Sequence, residues 1–367
     1  MEERHSHPDL PSARAPAPRA AADLIGHGAA ERLFLEAAQA GRLAGAWLLA
    51  GPEGIGKATL AFRVARFLLA GGPGKDLFGA PGDLTVDAAE PVFHRVAAAA
   101  HADLLTVERS VNQKTGRMRG EIVIDDVRRM LPFFHQSAGE GGWRIAVVDG
   151  AELMNRSAAN AALKLIEEPP HRSLVLLVSH APSRLLPTIR SRCRTVPLQA
   201  LKTEQVGLLL ERYRPDLDAA DRQPLAILAE GSPGRALRLA ELGGLELFRD
   251  LIALLSRLPR LPPDEVHALA DRLARPTNDM AFRTTLDLLR WWLARLVRQG
   301  AGRASAEPVV EEERDLIARL AALPGLERWL DVWEKVGRLQ ERAISVNLDR
   351  KQVVLSSFGA MEHAARP

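Results

Sequence analysis

The chain has 367 residues, of which 47% are hydrophobic and 26% charged, and its net charge is +3. This length exceeds what one ordinary core holds and predicts two or three domains, while no apolar run approaches the ~20 residues of a membrane-spanning helix. The single cysteine, Cys193, excludes a disulfide framework and a cysteine-cluster zinc site, which is typical of a protein from a reducing cytoplasm.

Helices and strands are predicted to alternate along the first half of the chain. Residues 1–20 are rich in Pro, Ala, Arg and His and are predicted to form a disordered tail. Beyond them, hydrophobic periodicity predicts strands at 46–50, 104–107, 144–148 and 174–178, and helices at 28–40, 57–70, 124–135 and 157–168. Residues 71–103 are predicted to be irregular. Apolar strands that alternate with helices predict an α/β domain with a parallel sheet over residues 21–198.

Only helices are predicted after Leu198. They divide into a small helical domain over residues 199–246 and a helical C-terminal domain over 247–367. Prolines and glycines interrupt the second of these near Pro262, Pro276, 300–308 and Pro324. Tryptophans on these helices are predicted to lie in a core rather than in a ligand site, and they are Trp291, Trp292, Trp329 and Trp333.

A glycine-rich segment of P-loop type follows the first predicted strand. It runs Gly51-Pro-Glu-Gly54-Ile-Gly56-Lys57 and lies between a strand and a helix. In that context, glycine backbone N–H groups and the helix N-terminus bind phosphates, and Lys57 reaches the outer phosphates. The sequence therefore predicts a P-loop fold that permits ATP binding, the alternative being a tight turn without a ligand.

Two positions indicate that this nucleotide site is damaged. A working P-loop has Ser or Thr after the lysine to bind Mg²⁺, but here the residue is Ala58, and the hydroxyl of Thr59 lies about 100° further around the helix. Asp149 ends a predicted strand as an acidic Mg²⁺-binding residue would, yet Gly150 follows it where a water-orienting Glu is expected. Losing such a residue costs about 10²–10⁴-fold in rate. We therefore expect no efficient ATP hydrolysis, and Mg²⁺ only together with a nucleotide.

Three further segments carry a resemblance to a known family. They read IGHGAAERLFLEA after residue 24, NRSAANAALKLIEEPP over residues 155–170 and LLPTIRSRCRTV over residues 185–196. The chain resembles the bacterial DNA polymerase III clamp-loader family of AAA+ proteins, most of all its delta-prime branch, from about residue 23 to 197. The resemblance implies that residues 199–246 form a helical lid and residues 247–367 an oligomerisation collar.

The resemblance also implies roles for three polar residues. Arg192 in the Ser-Arg-Cys motif matches an arginine finger that enters the ATP site of a neighbouring subunit, although a surface ion pair is the alternative. Ser179 matches the sensor-1 position near the γ-phosphate, the alternative being an ordinary cap at the end of a strand, and Arg235 matches the sensor-2 position on the lid, the alternative being a solvated helix residue. The four-cysteine zinc module of many relatives is not expected, because residues 71–103 contain no cysteine and His94 and His101 alone cannot form a tetrahedral site.

The implied function is that of a non-motor subunit which helps load the sliding clamp on primer–template DNA in the cytoplasm. Its implied partners are gamma/tau-like and delta-like subunits, with the clamp engaged indirectly and no membrane. Such a chain belongs to a polymerase holoenzyme but has no polymerase site of its own. One alternative is the ATP-hydrolysing gamma/tau-like motor of the same complex, and a weaker one is an unrelated P-loop switch.

Overall fold

The computed structural model describes residues 16–43, 45–74, 82–136, 138–139, 142–303, 307–345 and 348–366. Residues 1–15 of the predicted tail lie outside these ranges. The chain forms two compact units. The first, called the sheet unit here, extends to Gln205 and includes Gly231–Gly234. The second, the helical unit, comprises Val206–Glu230 and the chain from Arg235 onward.

The sheet unit is built on five parallel strands, in the order β2-β3-β4-β1-β5. The strands are β1 (Gly45–Ala50), β2 (Leu104–Val107), β3 (Arg144–Asp149), β4 (Ser173–Ser179) and β5 (Arg194–Pro197). The helices of this part are α1 (Gly28–Gln39), α2 (Lys57–Leu69), α3 (Pro91–Ala97), α4 (Ile124–Arg128), α5 (Met130–His135), α6 (Arg156–Glu167) and α7 (Pro187–Arg190). All seven residues of β4 are buried, as expected for a central strand with helices on both faces. The predicted α/β class and parallel sheet are therefore confirmed.

Two local predictions in the sheet unit were wrong. The segment predicted as irregular contains α3, which begins at Pro91, and proline suits the first position of a helix because no N–H is needed there. The single helix predicted over 124–135 is divided into α4 and α5. Pro132 has no N–H to donate to the carbonyl of Arg128, so the regular helical hydrogen bonding cannot continue.

The end of the predicted tail that the structure describes is attached to α2. The Arg66 guanidinium, which is buried, donates hydrogen bonds to the carbonyl oxygens of Arg19 (2.9 Å) and Ala21 (2.6 Å). Burial lowers the pKa of Arg66 to about 10. Residues 19–21 thus pack on the sheet unit through a buried cation.

Among the described residues after β5, all regular secondary structure is helical, as predicted. The helices are α8 (Thr203–Tyr213), α9 (Ala219–Leu228), α10 (Pro233–Glu241), α11 (Gly244–Leu255), α12 (Pro263–Ala274), α13 (Asp279–Gly300), α14 (Glu311–Ala321), α15 (Leu326–Ser345) and α16 (Arg350–Ala364). The predicted breaks near Pro262, Pro276 and Pro324 are confirmed. None of the helices that the structure describes has the length and apolar character needed to cross a membrane. The finer division into a lid and a collar stays a prediction.

The core of the helical unit contains tryptophans, as predicted, and one buried ion pair. Trp291, Trp292 and Trp329 are buried, whereas Trp333 is only half-buried. The Arg295 Nε lies 3.1 Å from Oε1 of Glu313, whose side chain is fully buried. Burial is the main cause that raises the pKa of Glu313 and lowers that of Arg295, although each ion offsets this for the other.

Candidate functional site

The P-loop segment connects β1 to α2 at the carboxyl edge of the sheet. Gly51, Gly54 and Gly56 have φ angles of 156°, 72° and 104°, which only glycine adopts without strain. A Cβ on Gly51 would lie 2.3 Å from the carbonyl oxygen of Leu198, so a side chain is excluded there. The three predicted glycines therefore shape the loop that leads into the N-terminus of α2.

Residues 231–234, which are distant in sequence, support the outside of this loop. The Ser232 hydroxyl donates to the carbonyl oxygen of Glu53 (2.8 Å), and the Gly234 N–H donates to that of Gly54 (2.9 Å). A Cβ on Gly234 would be only 3.1 Å from the Gly54 Cα. In the sequence, the only signal for this role of Ser232 and Gly234 is the turn-like Gly-Ser-Pro-Gly composition.

A buried histidine supports the loop from the other side. His27 Nε2 lies 2.7 Å from the carbonyl oxygen of Ile55. Burial is the main cause that lowers the pKa of His27, so the neutral imidazole donates its Nε2 proton to that carbonyl at neutral pH. His27 lies within the family-like segment IGHG, but no local pattern indicated its contact with the loop.

The P-loop lysine is almost fully buried and lies against its own loop. Lys57 Nζ donates to the carbonyl oxygens of Gly51 (2.8 Å) and Pro52. Burial lowers the pKa of Lys57, while the carboxylates of Glu152 and Asp149 act in the opposite direction. The ammonium group is therefore held at the mouth of the glycine loop, between backbone oxygens and acidic side chains.

The donor set around Lys57 fits a phosphate better than it fits Mg²⁺. Ala58 offers no oxygen, and the half-buried Thr59 hydroxyl makes no hydrogen bond within the described residues. Across those residues, no group of three His, Cys, Asp or Glu side chains is arranged to hold a metal ion. The loop N–H groups and Lys57 suit an anion, whereas the usual P-loop hydroxyl for the metal is missing.

Asp149 and Ser179 lie beside the P-loop because three adjacent parallel strands end together. Ala50 pairs with Ser179 in register, and Asp149 pairs with Val178. The Gly51 N–H donates to the Ser179 carbonyl oxygen (3.2 Å). The Ser179 hydroxyl is buried and has no hydrogen-bond partner within the described ranges, so it is available to a bound group. Burial raises the pKa of Asp149.

Gly150 turns the chain and brings a different carboxylate into this region. Its φ of 77° is left-handed, and the short 3-10 helix Ala151–Leu153 follows. The Glu152 side chain is fully buried, and its Oε1 lies 2.6 Å from Nδ1 of His180. Among the carboxylates that raise the pKa of Lys57 against the effect of burial, Glu152 has the largest effect. The water-orienting Glu is thus missing at Gly150, and the nearby carboxylate of Glu152 already contacts His180.

Arg192 lies at the opposite edge of the sheet from the P-loop of its own chain. Because β5 is parallel to β1, Arg194 pairs with Trp47 and Pro197 with Ala50. Three residues of strand, about 10 Å, separate those two pairs, and Arg192 precedes the first of them. The P-loop follows Ala50 at the other end. Arg192 therefore cannot serve the phosphate site of its own chain.

The Arg192 side chain is exposed, yet it has a defined position. Its Nε lies 2.7 Å from Oε1 of Glu167 at the end of α6, and its Nη1 donates to the Thr188 carbonyl oxygen (3.3 Å). About 44% of the side chain is accessible. Glu167 lies in the family-like segment ending LIEEPP, but no local pattern indicated its contact with Arg192.

Arg235 is the first residue of the helical unit after Gly234. Its Nη1 lies 3.5 Å from Oε2 of Glu230. Burial is the main cause that lowers its pKa. The sensor-2 role of Arg235 stays a prediction.

Comparison with known proteins identifies the family. A family model described as "DNA polymerase III, delta subunit" matches residues 26–202. The DNA polymerase III subunit delta' of Pseudomonas aeruginosa is 32% identical over 294 residues, 78% of this chain and 83% of that protein. The delta' subunit of Escherichia coli is 27% identical over 335 residues, 90% and 92% of the two chains. The tau subunit of Escherichia coli is 27% identical over 228 residues, 61% of this chain and 33% of tau. This chain, with its five-stranded parallel sheet and glycine loop, therefore belongs to the DNA polymerase III clamp-loader family and resembles its delta-prime subunits.

Proposed function

We propose that the chain is a delta-prime-like, non-motor subunit of a cytoplasmic clamp loader, which supplies Arg192 to the ATP site of a neighbouring motor subunit. The observation that carries the proposal is the position of Arg192. It is exposed, it is held by Glu167, and it lies on the edge of the sheet opposite its own P-loop. A guanidinium placed in this way can reach only a phosphate bound by another subunit.

In this proposal, the chain's own site binds the phosphates of a nucleotide without hydrolysing it. The glycine loop and Lys57 hold an anion, as ATP would present, and Asp149 and the Ser179 hydroxyl face the same edge. Mg²⁺ would bind there only together with the nucleotide. Ala58 provides no oxygen for the metal and Gly150 no carboxylate for water. These two positions favour the scaffold over the motor alternative.

In the assembled complex, gamma/tau-like and delta-like subunits bind beside this chain, and the ring holds the sliding clamp and primer–template DNA. The guanidinium of Arg192 neutralises the charge that develops on the γ-phosphate of the neighbour's ATP, and its planar fork matches two phosphate oxygens. Hydrolysis at that site releases the closed clamp on DNA.

Reconstitution tests this function. The full chain is mixed with gamma/tau-like and delta-like subunits, and clamp loading and ATP turnover are measured with and without primer–template DNA. We expect strong DNA-stimulated turnover only when this chain is present, and none from the chain alone. Steady turnover by the isolated chain would support the motor alternative instead.

Glu167 provides a sharper test, because it contacts Arg192 and not the phosphate. Glu167→Gln removes the charge that holds the Arg192 Nε, so the finger is less well oriented. We expect kcat of the reconstituted complex to fall by roughly 3- to 10-fold, with KM for ATP unchanged.

The neighbouring residue is the matched control for this prediction. Glu168→Gln makes the same charge change one residue away, where the side chain is exposed and has no contact with Arg192. We expect it to leave kcat unchanged. In the background of Arg192→Ala, Glu167→Gln is expected to have no further effect. Equal losses from Glu167→Gln and Glu168→Gln would contradict a positioning role.

A further inference from the structure

A cationic hairpin projects from the sheet unit between β2 and α4. Its strands meet at an antiparallel bridge between Val111 and Met118, and the Asn112 N–H donates to the Arg117 carbonyl oxygen (2.8 Å). The left-handed Gly116, with a φ of 65°, closes the turn. Residues 109–119, called the basic hairpin here, therefore form a short hairpin joined by one β-bridge.

The base of the basic hairpin is attached to the segment that follows β3. The Ile122 N–H donates to the Leu153 carbonyl oxygen (2.8 Å), and the Ile122 carbonyl oxygen accepts from the Asn155 N–H (3.1 Å). The Asn155 Nδ2 also donates to the Glu121 carboxylate (3.1 Å). These bonds connect the hairpin to the turn between Asp149 and α6, so its position is defined by the sheet.

The charged residues of the basic hairpin are all cations. Its eleven residues include Arg109, Lys114, Arg117 and Arg119 and no acidic residue, which gives +4, whereas the whole chain carries +3. Within the described part of the chain, none of these four cations forms an ion pair. Such a local excess of positive charge favours a polyanion over a protein surface of mixed charge.

Two exposed apolar side chains accompany these cations. Val111 is 51% and Met118 59% exposed, and both belong to the few large hydrophobic residues that are exposed in the described ranges. Because directly opposed residues of an antiparallel pair point to the same face, the two side chains lie side by side. Two exposed apolar side chains beside cations suit the sugars and base edges of a nucleic acid groove.

We infer that the basic hairpin binds the backbone of DNA, with its cations on phosphates and Val111 and Met118 against the groove. A two-stranded ribbon fits the major groove of a duplex. This inference rests on the proposed function, because it assigns the DNA contact of the same subunit to a defined surface. An acidic protein partner is the competing occupant, and the experiment separates the two.

The test measures the salt dependence of DNA binding. A labelled primer–template is titrated with the full chain, alone and in the reconstituted complex, and anisotropy is followed from 0.05 to 0.3 M salt, roughly the range in which phosphate contacts dominate. Lys114→Gln with Arg117→Gln removes two tip cations without touching the hairpin base. We expect the slope of log affinity against log salt to decrease by about 1.8, and affinity at low salt to fall by on the order of tenfold or more.

Two further variants make the result specific. Arg42→Gln with Arg260→Gln removes the same charge from exposed positions elsewhere, and we expect the slope to be retained. Val111→Thr with Met118→Thr is expected to lower the affinity while leaving the slope unchanged. Circular dichroism checks that each variant is folded.

The outcomes also distinguish this inference from the proposed function. If the hairpin and control variants shift the slope equally, or neither does, the inference is wrong. If DNA binding is retained but subunit assembly is lost in the hairpin variant, the surface binds a protein and the inference is again wrong. A slope change in the isolated chain supports the inference even if the chain fails to stimulate a motor subunit, which would contradict only the proposed function.

Discussion

Substituting Arg192 by alanine is expected to abolish DNA-stimulated hydrolysis at the ATP site that borders this subunit. Arginine fingers supplied in trans accelerate phosphoryl transfer by about 10³–10⁵-fold. Arg192 is exposed and lies on the edge of the sheet away from its own P-loop, so this loss should appear only in the assembled complex. Single-turnover phosphate release with primer–template DNA measures it at that site.

The conservative variant separates charge from geometry. Arg192→Lys retains a cation but cannot form the planar fork or keep the contact that the Nε makes with Glu167. We expect it to recover only a small part of the rate. Complex assembly, followed by size-exclusion chromatography, should be unchanged in both variants. Wild-type rates for Arg192→Ala in an intact complex would rule out the finger.

Removing Glu313 should strongly destabilise the helical unit. Its carboxylate is fully buried, accepts a hydrogen bond from the Val309 N–H (2.7 Å) and contacts Arg295. In Glu313→Ala, Arg295 loses the carboxylate that its Nε contacts while it stays buried against Trp291, and removing one partner of a buried ion pair costs about 3–5 kcal/mol. Hydrogen exchange of peptides from α13 and α14 measures the opening free energy, because a two-unit chain does not unfold in one step.

The double variant shows whether the pair itself stabilises the unit. Since burial raises the pKa of Glu313 and lowers that of Arg295, both ions are held at a cost. Arg295→Met with Glu313→Leu should therefore recover most of the loss seen in Glu313→Ala. Glu312→Ala, an exposed neighbour, is the control and should change little. A double variant as unstable as the single one would contradict this account.

Local pattern was sufficient to predict most of the elements and the P-loop. Apolar strands and helical periodicity are properties of neighbouring residues, so β1, β3 and β4 were predicted within one residue at each end. The segment from Gly51 to Lys57 was recognisable because its glycines and lysine are close in sequence. Local pattern failed at α3, whose seven residues are too few for helical periodicity to stand out, and at Pro132, where a missing N–H divides a helix.

The sequence by itself thus determined the fold class, the family and the two altered positions of the nucleotide site, Ala58 and Gly150. Only the tertiary structure decided which distant residues meet. It places Ser232 on the P-loop carbonyls, Glu152 against His180, and Arg192 on Glu167 at the far edge of the sheet. The physical reason is that a periodic pattern depends on neighbours along the chain. These contacts depend instead on strand order, on the parallel direction of β5 and on a left-handed turn at Gly150. Such features bring together residues that are far apart in the sequence.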